Sequence, residues 1–142
     1  MKMSFYHYWL SVLVMLLGSI VSCSKSTSGD YSVVGQWELN FEKFVYTIDD
    51  IVWDESTRVL SAGDAIFDFS SEGVLVIHDG GQVDASYVYE KRGNTLILRT
   101  DSWYGEYSIK ELSSTRMVLV YDEDYGENKE YHSQRTWIFT RL

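Results

Sequence analysis

Between Trp37 and Arg141 apolar and polar side chains alternate in short runs, with turn-forming clusters between the runs. Trp37, Leu39 and Phe41 fall on one side of an extended chain, and Gln36, Glu38, Asn40 and Glu42 on the other. The same period of two sets Ala65, Phe67 and Phe69 against Asp68, and Val83, Ala85, Tyr87 and Tyr89 against Asp84, Ser86 and Glu90. Trp103, Tyr107 and Ile109 oppose Glu106, Ser108 and Lys110 in the same way. Leu75 with Ile77, Leu96 with Leu98, and Met117 with Leu119 and Tyr121 supply three more such runs, and Arg135, Trp137, Phe139 and Arg141 supply the last. Successive side chains leave opposite faces of a pleated strand, so each run predicts a half-buried β-strand. Ser70-Ser71-Glu72-Gly73, Asp79-Gly80-Gly81, Arg92-Gly93-Asn94, Asp101-Ser102, Ser113-Ser114-Thr115 and Tyr125-Gly126-Glu127-Asn128 mark hairpin turns between them.

Eight strands joined by tight hairpins can close on themselves and so remove their edges. The predicted fold is therefore all-β, an antiparallel eight-stranded up-and-down barrel, with an open sandwich as the other arrangement that fits the same strands. One segment breaks the hairpin rhythm. Residues 43–63 carry no clear turn yet include Phe44, Val45, Tyr46, Ile48, Ile51, Val52 and Trp53. Val45, Ile48 and Val52 have helical spacing, whereas Phe44, Tyr46 and Ile48 alternate. In either form the segment is too apolar for an open loop and is expected to pack on the barrel, as a short lid or as an extension of the core.

Composition adds an address. Lys2 opens the chain, and every residue from Leu10 to Val21 is apolar or small, the pattern of a secretory leader. A membrane-spanning helix needs about 20 apolar residues, which this run does not reach. The chain's one cysteine, Cys23, follows directly. Residues 24–32 are small and polar and read as a flexible tether, so residues 1–22, 23–32 and 33–142 are expected to be leader, anchor with tether, and a single folded domain.

Ile20-Val21-Ser22-Cys23 resembles the lipobox of bacterial lipoproteins, with an aliphatic residue three before the cysteine and a small one just before it. That resemblance implies diacylglyceryl attachment at the Cys23 sulfur, cleavage before Cys23 and acylation of the new amino end. It implies in turn an envelope protein held to the outer membrane by its lipid; the tether carries the single acid Asp30 and not the acidic cluster of some surface-exported lipoproteins, which favours the periplasmic side over the cell surface. Gly35-Gln36-Trp37 resembles the G-x-W signature of lipocalins and lipocalin-like bacterial lipoproteins, and Arg141 resembles the basic residue that ends their last strand. In an even-stranded barrel the first and last strands are neighbours, so Arg141 is expected to lie over Trp37 and, with Gly35, close one end.

Charge and missing motifs remove whole classes of function. Without Lys2 the chain has 11 basic and 21 acidic residues, a balance that repels phosphate backbones and makes nucleic acid an unsuitable partner. His78 and His132 stand far apart, no zinc spacing or nucleotide loop occurs, and no catalytic residue, metal site or cofactor is predicted. Asp122, Asp124 and Gly126 match only part of a calcium loop. What remains is a cup. Tyr87, Tyr89, Trp103, Tyr107 and Tyr121 would line an apolar pocket with polar tips, suited to a small hydrophobic, amphipathic or sugar-like ligand. The alternative partner is an envelope protein docking on the acidic rim.

Overall fold

The computed structural model describes residues 31–142. The expected leader, Cys23 and tether residues 24–30 lie outside the described residues. The strands are β1 (Gly35–Ile48), β2 (Ile51–Val59), β3 (Ala65–Phe69), β4 (Val74–Asp79), β5 (Gln82–Arg92), β6 (Thr95–Arg99), β7 (Tyr104–Leu112), β8 (Arg116–Tyr125) and β9 (Tyr131–Arg141). They form one antiparallel sheet in the order β2-β1-β3-β4-β5-β6-β7-β8-β9, and β1 also pairs with β9. β1 and β3 to β9 thus close an eight-stranded barrel, consistent with a lipocalin-like one, and β2 is one strand more. Among the described residues no helix is long and apolar enough to cross a membrane.

β1 is long enough to serve three neighbours. Its first residues pair with β3, from Gly35↔Phe69 to Glu38↔Ile66, and its later ones with β2, from Phe41↔Val59 to Ile48↔Ile51. Along the other edge it follows β9 from Trp37↔Arg141 to Ile48↔Tyr131. β8 accompanies β9 as far as Tyr125↔Tyr131. The upper parts of β2, β1, β9 and β8 therefore continue past the barrel as a four-stranded wall.

That wall contains the segment expected as a lid. Residues 43–48 complete β1, and Asp49 and Asp50 turn the chain with φ of 48° and 63°. Two consecutive left-handed residues match the tight hairpin turn favoured by twisted strands, and Asp tolerates this region better than most side chains. The chain returns as β2, whose backbone groups pair with the part of β1 that β3 leaves free. Alternation, not helical spacing, describes the segment. Its β1 half, with Phe44, Val45, Tyr46 and Ile48, is half-buried, but its β2 half does not pack on the barrel as expected: Ile51, Val52, Trp53 and Val59 are exposed, because pairing with β1 carries β2 outside the closed cylinder.

The interior is one cluster in which Trp37, Phe69, Leu75, Leu96, Met117, Leu119 and Phe139 are essentially inaccessible. One pole is plugged. The Trp37 indole N–H donates to the Val33 carbonyl at 2.7 Å, and the Arg141 guanidinium lies 4.3 Å from the centre of a Trp37 ring. Arg141 also donates to the carbonyls of Val34 at 3.2 Å and Ser32 at 2.5 Å. Gly35 has φ +125°, a backbone conformation that suits glycine.

Bulges interrupt strict alternation, and two of them shape the open end of the barrel. Along β1–β9, Leu39 pairs with Phe139 but Phe41 with Ile138, so Asn40 is an extra residue. Beyond it the faces exchange, and Glu42 rather than Phe41 stands beside the inward Trp137. Along β4–β5, Asp84 is the extra residue between Ala85, opposite Ile77, and Val83, opposite His78. Val83 therefore leaves the core face and is 66% exposed. A bulge adds one residue to one strand and re-aims the side chains past it.

Candidate functional site

Opposite the plugged pole the barrel opens on a cavity of about 510 Å³. This lies within the roughly 300–1,000 Å³ of small-molecule sites. Its apolar surface combines Leu39, Ala65 and Ile77 with five aromatic side chains. Tyr107 of β7 stacks on Trp137 of β9 at 5.0 Å and 18°, and Phe67 of β3 meets the same indole edge-on at 5.5 Å. At the rim Trp103 meets Tyr87 of β5 edge-on at 5.7 Å.

Trp103 is placed by its loop and not by a strand. Its backbone N–H donates to Thr100 Oγ1 at 3.1 Å, and its carbonyl accepts from the Thr100 N–H at 2.8 Å, which folds residues 100–103 into a compact turn. Its ring then lies over Gly105. A Cβ at Gly105 would come within 2.4 Å of the indole, so the missing side chain is what lets the ring settle there.

Charge enters where the bulges deliver it. Glu42 Oε1 accepts the Trp137 indole N–H at 2.9 Å. The same carboxylate lies 3.3 Å from Arg58 Nη2 of β2 and 3.6 Å from Arg135 Nε of β9. The Arg135 guanidinium is 5.8 Å from the Phe44 ring centre and 5.9 Å from that of Trp137, so it is held between an anion and two aromatic faces. Asp79 at the end of β4 and Asp84 at the β5 bulge line the same cavity. Among the described residues neither forms an ion pair.

Tyr107 is 4% exposed, yet its hydroxyl meets no hydrogen-bond partner among the described residues. Burial pushes its pKa above the ordinary 10.0, against the weaker opposing pull of Arg135. The phenol is thus a neutral donor on the cavity surface.

Three of the five side chains expected in the cup line it: Tyr87, Trp103 and Tyr107. Tyr121 stands behind Tyr107 at 5.2 Å, with its pKa raised first by burial and then by Glu123. Tyr89 lies toward the plugged pole, where it packs edge-on against Phe69 at 5.0 Å and donates to the Ser70 carbonyl at 2.5 Å. Its position follows from register, since Tyr89 sits one inward step below Tyr87 on the way down β5.

Asp122 and Asp124 are on extended β8 and not in a loop. Gln134 Nε2 donates to Asp122 Oδ1 at 2.8 Å, and His132 Nδ1 lies 2.7 Å from Asp124 Oδ1. Among the described residues no group of three His, Cys, Asp or Glu side chains could hold a metal.

Glu42, Arg58, Asp79, Asp84 and Arg135 were not singled out by the sequence. One signal was available: Arg135 shares its parity with Trp137 and Phe139, and an inward guanidinium requires an anion close by. Neither a protein-family model nor a curated protein matches the chain.

Proposed function

We propose that this chain is a lipid-anchored envelope lipoprotein whose barrel binds a small amphipathic or sugar-like molecule at its open end, without catalysing a reaction on it. The observation that carries this reading is the cavity itself. Aromatic faces from Phe67, Tyr87, Trp103, Tyr107 and Trp137 can cover a flat apolar group, while polar and charged tips stand ready to orient it. Both oxygens of Glu42 are engaged by donors, an arrangement suited to structural support and not to proton transfer. The membrane part of the proposal rests on Cys23 and the apolar run before it.

Native mass spectrometry of the protein extracted from its own host tests the binding reading. A co-purifying small mass, lost when Trp103 and Tyr107 are both changed to Ala, is the expected result. A clean protein mass that also fails to take up amphipathic probes would overturn it. For the anchor, Cys23→Ala should accumulate as a larger unprocessed precursor, and a normally processed soluble product would argue against lipidation.

Docking of an envelope protein is the second reading, and one observation favours it. The strand ends above the mouth, residues 44–59 and 121–135, hold nine carboxylates against three Lys and Arg. A basic partner captured through this wall, with the cavity empty in the complex, would favour docking over ligand binding.

A further inference from the structure

The charges around the cavity are segregated. On one side of the cavity lining Arg58 and Arg135 share the single carboxylate of Glu42, so the charged side chains that line this side sum to one positive charge, although the strand ends above it are acidic. A guanidinium has five N–H donors, and the contacts to Glu42 occupy only one nitrogen of each. Asp79 and Asp84 stand on β4 and β5. In the ring of eight strands β5 lies four steps from β9 in either direction, which puts Asp84 directly across the mouth from Arg135. Among the described residues no ion pair joins the two sides. The unpartnered Tyr107 hydroxyl opens between them.

Given that the cavity is a ligand site, we infer that its ligand is dipolar. An anionic end lies on Arg58 and Arg135, a cationic end lies on Asp79 and Asp84, and an apolar or aromatic middle lies against Trp103, Tyr87 and Trp137. The charge pattern selects against simpler amphiphiles. A neutral one would leave both walls unanswered, while a purely anionic or purely cationic one would satisfy one wall and face like charge on the other. Opposite charges held apart by an apolar floor recognise opposite charges held apart by an apolar spacer. A peptide of about three residues with free ends has this form, and its reach of about 10 Å suits a cavity of this volume.

Four forms of one probe separate the possibilities: Ala-Phe-Ala with both ends free, N-acetylated, C-amidated, and blocked at both ends. Each is titrated into the full chain in detergent and followed by tryptophan fluorescence. The free peptide should bind at least tenfold more tightly than either singly blocked form, and the doubly blocked form should be weakest. Arg135→Gln should erase the advantage of the free carboxylate, and Asp84→Asn that of the free amine. Asp84 is at the rim and outside the packed core, so this second variant keeps the test valid should loss of Arg135 disturb the fold. If the doubly blocked peptide binds as tightly as the free one, the dipolar assignment is overturned and the cavity remains a binding site. If no form binds, both readings fall.

Discussion

The Trp137 indole on β9 donates to the Glu42 carboxylate on β1 at 2.9 Å, so one hydrogen bond joins the first and last strands of the barrel and also fixes a charge at the edge of its cavity. The side chain of Glu42 is 23% exposed, so this contact is partly screened by solvent while its two arginine partners stand further out. Glu42 therefore couples closure of the barrel to the shape of its mouth.

Removing this carboxylate should cost stability in a graded way. Glu42→Ala leaves the indole N–H and two guanidiniums without their acceptor, and a loss of about 1–3 kcal/mol is expected for hydrogen bonds to a charged group. Glu42→Gln keeps an acceptor for Trp137 and should lose less. Urea denaturation followed by tryptophan emission measures both, and equal stability of all three proteins would remove Glu42 from any structural role.

At the plugged pole, Arg141→Gln should also destabilise. It deletes a cation over an indole, about 0.5–2 kcal/mol, along with the donors that hold the Val34 and Ser32 carbonyls. Trp37→Ala should be worse, about 3–5 kcal/mol, because it opens a cavity at a fully buried site. Thermal unfolding by circular dichroism ranks the two, and an Arg141 variant as stable as the parent would mean that the cation contributes nothing to closure.

Gly105→Ala should leave the fold intact and change the cup. The new methyl would occupy the place of the Trp103 ring, which is 40% exposed and can swing outward cheaply. Ligand affinity is expected to fall about tenfold or more with a melting temperature close to that of the parent. A large drop in melting temperature with unchanged affinity would show that the contact serves packing alone.

Alkaline pH offers a separate test through Tyr107. Its pKa is raised on folding by burial, so the folded state holds the phenolic proton more tightly than the unfolded chain does. That contribution to stability is fully present below the ordinary value of 10.0 and is lost as pH rises from there toward the higher folded value. Tyr89 and Tyr121, also raised by burial, act in the same direction. Unfolding free energy should therefore be flat with respect to the phenols up to about pH 9 and then decline, by up to about 1.4 kcal/mol per pH unit for Tyr107 and by less for the more solvent-exposed Tyr89 and Tyr121. Tyr107→Phe should flatten part of the decline. It should be about as stable as the parent at neutral pH, since the hydroxyl it removes faces the open cavity and holds no hydrogen bond among the described residues. A steeper decline in the variant would contradict the assignment.

Eight strands were legible in the sequence because period two is a local signal that every hairpin repeats. Trp37 and Arg141 were legible for a different reason, since closure of an even-stranded barrel brings the ends of the chain together whatever lies between. The charges of the cavity were not. Asn40 and Asp84 each insert one residue, and the alternation before a bulge says nothing of the face used after it. Alternation consequently places Glu42 with Glu38 on the face opposite Trp37, and its indole partner, 95 residues away in the chain, leaves no local signal to the contrary. β2 escaped notice because it packs no core: its pairing depends on the length of β1, and apolar content alone suggested a cover.

The plug at Trp37 sets the direction in which the molecule presents itself. Ser32 and Leu142 are both fastened there, the first through Arg141 and the second by its N–H to the Gln36 carbonyl at 3.0 Å, so the described residues begin and end at the base of the cylinder. A domain held by its amino end would be held at this pole, with its rim at the far end from the point of attachment. Solutes diffusing past would reach the aromatic bowl freely, whereas anything released by the supporting surface would first have to climb the full height of the staves.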